Sequence, residues 1–391
     1  SPAAVAAAVR DGSLDETALD RSVERMLRLV ERGRHVLQLE ETPDADAHHA
    51  LARRAAADSI VLLKNDGGLL PLDSDGSVAV IGEFARTPRF QGAGSSQVNP
   101  IRVDVALDEL RAALGDRISF APGYGIDDTE ADEQLRAEAV EMAGSAGTVV
   151  CFLGLPASAE SEGFDRTHMD LPASQLALLE AVRAINDRVV VALVNGGTVT
   201  MQPWSDGVPT VLECWLGGQA AGGAIADVLT GTAEPGGRLA ETMPVRLTDV
   251  PSTINFPGDS GTVRYGEGLF VGYRAHDHLG HDVSFPFGHG LSYTSFELSD
   301  LTITVDGVVD TDTPLTATVS VEVANTGPRR GAHVVQVYVG DDEASVVRPP
   351  RELKGFRKVR LDPGERTRVA VTLDQRAFSS WSVRHRRWVV E

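Results

Sequence analysis

Cysteine, lysine and long apolar runs are what this 391-residue sequence has least of. Its two cysteines, Cys151 and Cys214, each sit inside a largely apolar run. That excludes a disulfide framework and any zinc site built on closely spaced thiolates, and makes buried free thiols the expected state. No stretch of about 18 apolar residues occurs, so no membrane-spanning helix is expected. Lys64, Lys354 and Lys358 are the only lysines among 36 basic residues, which face 56 acidic ones for a net charge of −20. Such a surface repels nucleic acid and anionic lipid, so neither is expected as a partner; a neutral or cationic small molecule fits better. The first residues lack both a basic leader and an initiator Met, so the sequence reads as cut from something longer. The acidic balance suits a soluble secreted protein and a soluble cytoplasmic one equally. A G-x-S-x-G elbow is also missing, which argues against a serine hydrolase.

What is present is a chain able to pack. Hydrophobic residues make up 42% and charged residues 24%, and the length exceeds that of one ordinary domain. Residues 1–34 show helical spacing at Ala18, Val23, Met26, Leu27 and Val30, and a polar linker is expected over residues 35–48. Residues 49–244 alternate apolar runs with amphipathic stretches. Helices are expected at 51–63, 106–114, 132–143, 173–186 and 221–229, and strands at 78–82, 148–154, 189–194 and 210–215. Continuous apolar strands between helices imply an α/β sandwich, a mostly parallel sheet covered on both faces. Residues 245–294 are rich in Gly, Pro and aromatics and read as a segment wrapping over other parts, with Phe270, Tyr273, Phe285 and Phe287 seeking burial. Residues 295–391 alternate apolar and polar positions between turns, as in an immunoglobulin-like or fibronectin-like all-β sandwich. Strands are expected there at 301–305, 315–323, 333–339 and 367–373.

Ligands of such parallel sheets bind at loops leaving the carboxyl ends of strands. The loop after residues 148–154 is acidic and carries Glu160, Glu162, Asp165, Arg166, His168 and Asp170. A carboxylic acid used for general acid catalysis belongs in a partly enclosed site that tunes its pKa. Gly163 beside Glu162 permits a sharp turn, and Arg166 could pair with Asp165. Spacing alone leaves two readings open, an active-site loop and a solvated acidic loop. The stretch 90–100, PheGlnGlyAlaGlySerSerGlnValAsnPro, lacks the lysine of a phosphate loop, and its hydroxyl and amide groups suit a sugar better. The glycines at 217–223 do not fit a dinucleotide fingerprint and read as close helix packing. His276, His281 and His289 have no companions at metal spacing. Trp204, Trp215, Trp381 and Trp388 are expected to be packed rather than offered to a glycan.

Five segments, in order, carry a family resemblance. They are AlaAlaAspSerIleValLeuLeuLysAsnAspGlyGlyLeuLeuProLeu at 56–72, GluSerGluGlyPheAspArg leading to MetAspLeuPro at 160–172, and GlyGlyGlnAlaAlaGlyGlyAlaIleAlaAspValLeuThrGly running to MetPro at 217–244. TyrGlyGluGlyLeuPheValGlyTyrArg at 265–274 and PheProPheGlyHisGlyLeuSerTyrThrSerPhe at 285–296 complete the set. With them the sequence resembles the C-terminal portion of a glycoside hydrolase family 3 enzyme of the three-domain β-glucosidase type. Residues 324–339 are similar to that family's fibronectin type III-like domain.

The resemblance implies a retaining mechanism with two carboxylates. The nucleophile of the family is an aspartate in an N-terminal (β/α)8 barrel, which this sequence lacks except that residues 5–33 resemble its last helix; no residue here is assigned that role. The acid/base is a glutamate on the SerGluGly-x-AspArg loop, which Glu162 matches, with Glu160 as runner-up. Asp165 and Arg166 match the same motif and are expected to support the loop. Arg89, Gln91, Ser95 and Glu160 are candidates to touch the sugar. No metal or organic cofactor is implied, and no large insertion interrupts residues 98–104, where some relatives carry a PA14 domain. The implied substrate is a small carbohydrate with a terminal non-reducing β-linked sugar, glucose foremost. The implied partner is the missing barrel, in the same chain or another, and a homo-oligomer is allowed. The alternatives are a β-xylosidase of the same family and a non-catalytic carbohydrate-binding or stability module.

Overall fold

The computed structural model describes residues 1–38, 42–127, 132–309 and 314–390. Two compact units divide the chain, Ser1–His48 and His49–Glu391.

The first unit holds helices α1 (Pro2–Arg10) and α2 (Glu16–Gly33). The Asp15 carboxylate caps α2 by accepting from the Thr17 amide at 3.0 Å. Neither helix has a buried residue, and Met26, Leu27, Leu29 and Val30 of α2 all stand exposed. The expected linker at 35–48 is partly regular. A 3₁₀ turn covers Arg34–Gln38 and helix α3 (Ala45–Ser59) begins inside it, while residues 39–41 lie outside the described residues.

The second unit is built on a six-stranded sheet. Its strands are β1 (Val61–Asn65), β2 (Val78–Ile81), β3 (Ile118–Ala121), β4 (Thr148–Gly154), β5 (Val189–Val194) and β6 (Thr210–Glu213). The spatial order is β1-β6-β5-β4-β2-β3, with β1 antiparallel to β6 and every other neighbour parallel. All residues of β2, β4, β5 and β6 are buried, as unbroken Val/Ile/Leu runs require when helices cover both faces. The covering helices include α4 (Ala106–Leu114), α5 (Glu133–Ser145), α6 (Ala173–Arg183) and α7 (Ala221–Thr230). The small residues of α7 serve close packing, because a Cβ on Gly222 would lie 2.3 Å from the Asp104 carbonyl oxygen. Cys151 and Cys214 are buried free thiols, their pKa values pushed up by burial.

One expected helix is corrected. Residues 51–63 do not form a single helix: α3 ends at Ser59, and Val61 begins β1. The β-branched pair Ile60–Val61 leaves the helix because β6 offers a ladder, pairing Val61 with Glu213 and Asn65 with Thr210. The short strand β3 escapes sequence patterning because only Ala121 of its four residues is fully buried.

The stretch after α7 reaches the sheet edge at β1. The short pair β7 (Met243–Pro244) and β8 (Val283–Phe285) brackets helix α8 (Tyr273–Leu279). The Leu291 amide then donates to the Leu62 carbonyl of β1 at 2.8 Å, and His289 Nε2 meets the Leu63 carbonyl at 2.8 Å. Tyr273 stacks on Phe287 with centroids 4.5 Å apart.

An all-β region follows. Strands β9 (Phe296–Asp306), β10 (Thr316–Asn325) and β13 (Arg366–Asp374) form one antiparallel sheet, with β10 in the middle. Strands β11 (Gly331–Val339) and β12 (Glu352–Leu361) form a second. Val321, Val323, Val335, Leu361 and Val369 close the core between them. The sequence pattern misses β12, where charges alternate with apolar residues and a bulge opposite Val337–Tyr338 shifts the face its side chains present. A one-turn helix α9 (Gln375–Phe378) leads to the hairpin β14 (Ser380–Ser382) and β15 (Arg387–Val389). Trp204 is packed, but Trp381 and Trp388 depart from expectation: 49% and 40% exposed, they pair across the hairpin with ring centroids 5.4 Å apart. Residues 310–313 and 391 of the expected all-β stretch lie outside the described residues.

Candidate active site

Three loops leave the carboxyl ends of the adjacent strands β2, β4 and β5 and meet above the sheet. Residues 86–100 follow β2, residues 155–170 follow β4, and the turn 195–198 follows β5. This is the edge where open parallel sheets hold ligands.

Glu162 stands exposed on the β4 loop. Its Oε2 accepts from the Ser95 amide at 2.8 Å and also from the Ser95 hydroxyl. The side-chain hydrogen bond from Ser95, then the backbone one, favour the carboxylate and lower the Glu162 pKa from its ordinary value. Gly94 makes the approach possible: its φ is +81°, and a Cβ there would lie 2.8 Å from Glu162 Cβ. The Glu162 amide reaches back to the Ala93 carbonyl at 3.5 Å. Gln91 braces this loop from within, its amide bonding both the carbonyl and the amide of Val98 at 3.1 and 3.0 Å.

Glu160, two residues earlier, faces the other way. Its Oε2 accepts from the Gly196 amide at 2.8 Å and its Oε1 from the Gly197 amide at 2.6 Å. Arg89, only 9% exposed, lies 3.6 Å from Glu160 Oε2. The same guanidinium donates to the carbonyls of Leu155 at 3.2 Å, Glu160 at 2.9 Å, and Gln91. Burial lowers the Arg89 pKa, and Glu160 works against that shift. Arg166 turns away from Asp165, which is exposed and forms no ion pair with it among the described residues. The Arg166 Nη1 donates to the Thr198 carbonyl at 3.0 Å, and its buried Nη2 has no hydrogen-bond partner among the described residues. Burial lowers its pKa, with Glu160, Asp170 and Glu241 opposing.

Behind this loop lies a layer that sequence reading did not single out. Glu213, fully buried at the end of β6, accepts from the Trp215 amide at 3.0 Å and from Asn195 Nδ2 at 3.2 Å. Asn195 Nδ2 also donates to the Gly197 carbonyl at 2.9 Å, so Glu213 steadies the turn that Glu160 grips. Burial pushes the Glu213 pKa up to about 8, and burial likewise raises that of Glu241. The signals for this layer were an acid interrupting an apolar strand and an AsnGlyGly step closing another. No group of three or more His, Cys, Asp or Glu arranged to hold a metal occurs among the described residues.

Known proteins share this architecture. The Glycosyl hydrolase family 3 C-terminal domain matches residues 60–293, and the Fibronectin type III-like domain matches residues 333–391. Thermostable beta-glucosidase B of Acetivibrio thermocellus is 48% identical over 386 residues, 98% of this chain and 51% of that protein. Exo-alpha-(1->6)-L-arabinopyranosidase of Bifidobacterium longum is 46% identical over 394 residues, again 98% of this chain and 51% of its own length. The crystal structure of a Bifidobacterium adolescentis GH3 beta-glucosidase superposes with a TM-score of 0.94 at 46% identity, covering 99% of this chain and 56% of that one. The chain thus spans about half the length of the curated relatives it matches. On these matches, and on an α/β sandwich followed by an all-β region, the chain belongs to glycosyl hydrolase family 3 and carries the family's C-terminal domain and its fibronectin type III-like domain.

Proposed function

We propose that this chain supplies the acid/base half of a retaining glycosidase site, with Glu162 as the acid/base and the nucleophile on a barrel joined to it or bound to it. The observation that carries the reading is the presentation of Glu162: a carboxylate pinned by Ser95 at the carboxyl end of a central strand, with its outer side open to a substrate. In the first step an aspartate of the barrel attacks the anomeric carbon while Glu162 gives its proton to the glycosidic oxygen, so the C–O bond breaks and the leaving group departs as an alcohol. In the second, Glu162 takes a proton from water as that water displaces the aspartate from the anomeric carbon. The two carboxyl groups of a retaining pair stand about 5 Å apart, so the barrel would face the outer side of Glu162. A general acid must hold its proton near neutral pH, the opposite of what Ser95 alone does here. A covering barrel supplies the missing desolvation, which raises a carboxyl pKa.

The sugar assigned first is a terminal non-reducing β-linked glucose, after relatives that bear the name β-glucosidase. A second reading, an α-L-arabinopyranoside, is favoured by the Bifidobacterium longum relative at the same level of similarity. Both sugars present an equatorial bond to the departing oxygen, so the acid/base geometry serves either, and a β-xyloside as well. The test is hydrolysis of nitrophenyl β-glucoside, β-xyloside and α-L-arabinopyranoside by the protein with its barrel. Preference for one sugar names the substrate, while sugar binding without hydrolysis of any would leave a carbohydrate-binding module instead.

A further inference from the structure

Glu160 and Glu162 share one loop, yet only one of them is free to meet a substrate. Both carboxylate oxygens of Glu160 accept from successive backbone amides of Gly196 and Gly197, a nest of the kind that holds anions. The Arg89 guanidinium closes the third side at 3.6 Å. A Cβ on Gly196 would sit 3.1 Å from Glu160 Oε1, so a side chain there would crowd the seated carboxylate. Arg89 meanwhile ties the carbonyls of Leu155 and Glu160, the two ends of the segment that leads into Glu162. With Glu160 seated, the loop has little freedom along the β5 turn, and Glu162 emerges two residues later against Ser95.

We propose that Glu160 is the positioning residue of the active-site loop, anchoring it to the Gly196–Gly197 amides with Arg89 as its counter-ion, and that it touches no sugar. The inference rests on the reading of Glu162 as acid/base. Proton transfer in the transition state demands placement within hydrogen-bond reach, and a misplacement of about 1 Å costs about a hundredfold in rate. Removing the Glu160 anchor acts through Glu162 alone.

The experiment is a double-variant cycle in the barrel-containing protein, with Glu160→Gln, Glu162→Gln and the pair, assayed on an alkyl glycoside and an activated aryl glycoside. The expected result for Glu160→Gln is about a hundredfold loss of kcat on the alkyl glycoside, a smaller loss on the aryl glycoside, and a KM for both within about twofold of the parent. The pair should lose no more than Glu162→Gln does by itself. Losses that multiply in the pair, or a raised KM with kcat intact, would overturn the proposal and return Glu160 to the sugar-binding groups. Gly196→Ala supplies a second route: it keeps the Glu160 charge but crowds its seat, and should give the same loss that vanishes in the Glu162→Gln background. If Glu162→Gln alone slows both glycosides equally, the acid/base reading itself falls and this inference falls with it; a leaving-group effect at Glu162 with an additive Glu160 sinks only the anchor.

Discussion

Two carboxylates separated by one residue have opposite surroundings. Glu160 points back into the protein, where two amides and an arginine surround it. Glu162 points outward and is held at one oxygen by Ser95 alone. The sequence treats them alike, as two acids in a GluSerGlu step. The fold separates them because a β4 loop crossing the end of β5 must present one side to the sheet edge and the other to solvent. The lesson is that acidity of a loop says nothing about role; the partner of each carboxylate does. An anchoring acid is satisfied within its own chain, whereas a working acid keeps bonding capacity for a group that arrives.

The largest effect should fall on the outward residue. In the protein with its barrel, Glu162→Gln should cut kcat on alkyl glycosides by about 10²- to 10⁴-fold, the range typical of a lost general acid/base. On dinitrophenyl glycosides the first step needs little protonation, so only water activation suffers. Added azide, which attacks without a general base, should then restore turnover and yield a glycosyl azide. Equal loss on both substrates with no azide rescue would dissolve the contrast between the two acids.

Behind Glu160 the same contrast extends to stability. Glu213 is fully buried and its pKa is raised to about 8, so between roughly pH 4.5 and 8 the folded chain holds a proton that the unfolded chain has released. Stability contributed by this group is therefore present below its unfolded pKa and lost as pH rises through the folded one. The loss is at most about 5 kcal/mol. Urea unfolding of the chain should give a lower midpoint at pH 9 than at pH 6, and Glu213→Gln should flatten that difference. A variant as sensitive as its parent would remove Glu213 from the layer that supports the anchor.

What the sequence could disclose follows from how local each feature is. Unbroken apolar runs gave β4 and β5 to the residue, because strands buried on both faces leave no polar position to confuse the pattern. The boundary at Ser59 was hidden, since the ladder that ends α3 is supplied by β6, about 150 residues later. Strand β12 was hidden for a different reason, as only Leu361 of its ten residues is fully buried and no apolar run marks it. At the site, the family motif marked Glu162, Asp165 and Arg166 as one group, but their directions depend on which loop lies beside them. Arg166 reaches Thr198 rather than Asp165, and Glu213 and Asn195 matter through a turn that no spacing rule links to residue 160.

The smallest effect should come from the single contact that holds Glu162 in place. The Ser95 hydroxyl is the first cause of the lowered Glu162 pKa, with the Ser95 amide second. A hydrogen bond to the charged form favours ionisation, so Ser95→Ala should raise the Glu162 pKa while leaving the amide's share intact. Carboxyl-carbon NMR titration of this chain reads the shift directly, with no barrel required. Because Glu160 lies in a separate nest of amides, the Gly196 and Gly197 amide resonances that report its seat should stay where they were. Gly196 and Gly197 amides that move together with the Glu162 carboxyl would mean that the two sides of the loop respond as one, and the division between anchor and working acid would have to be redrawn on Ser95.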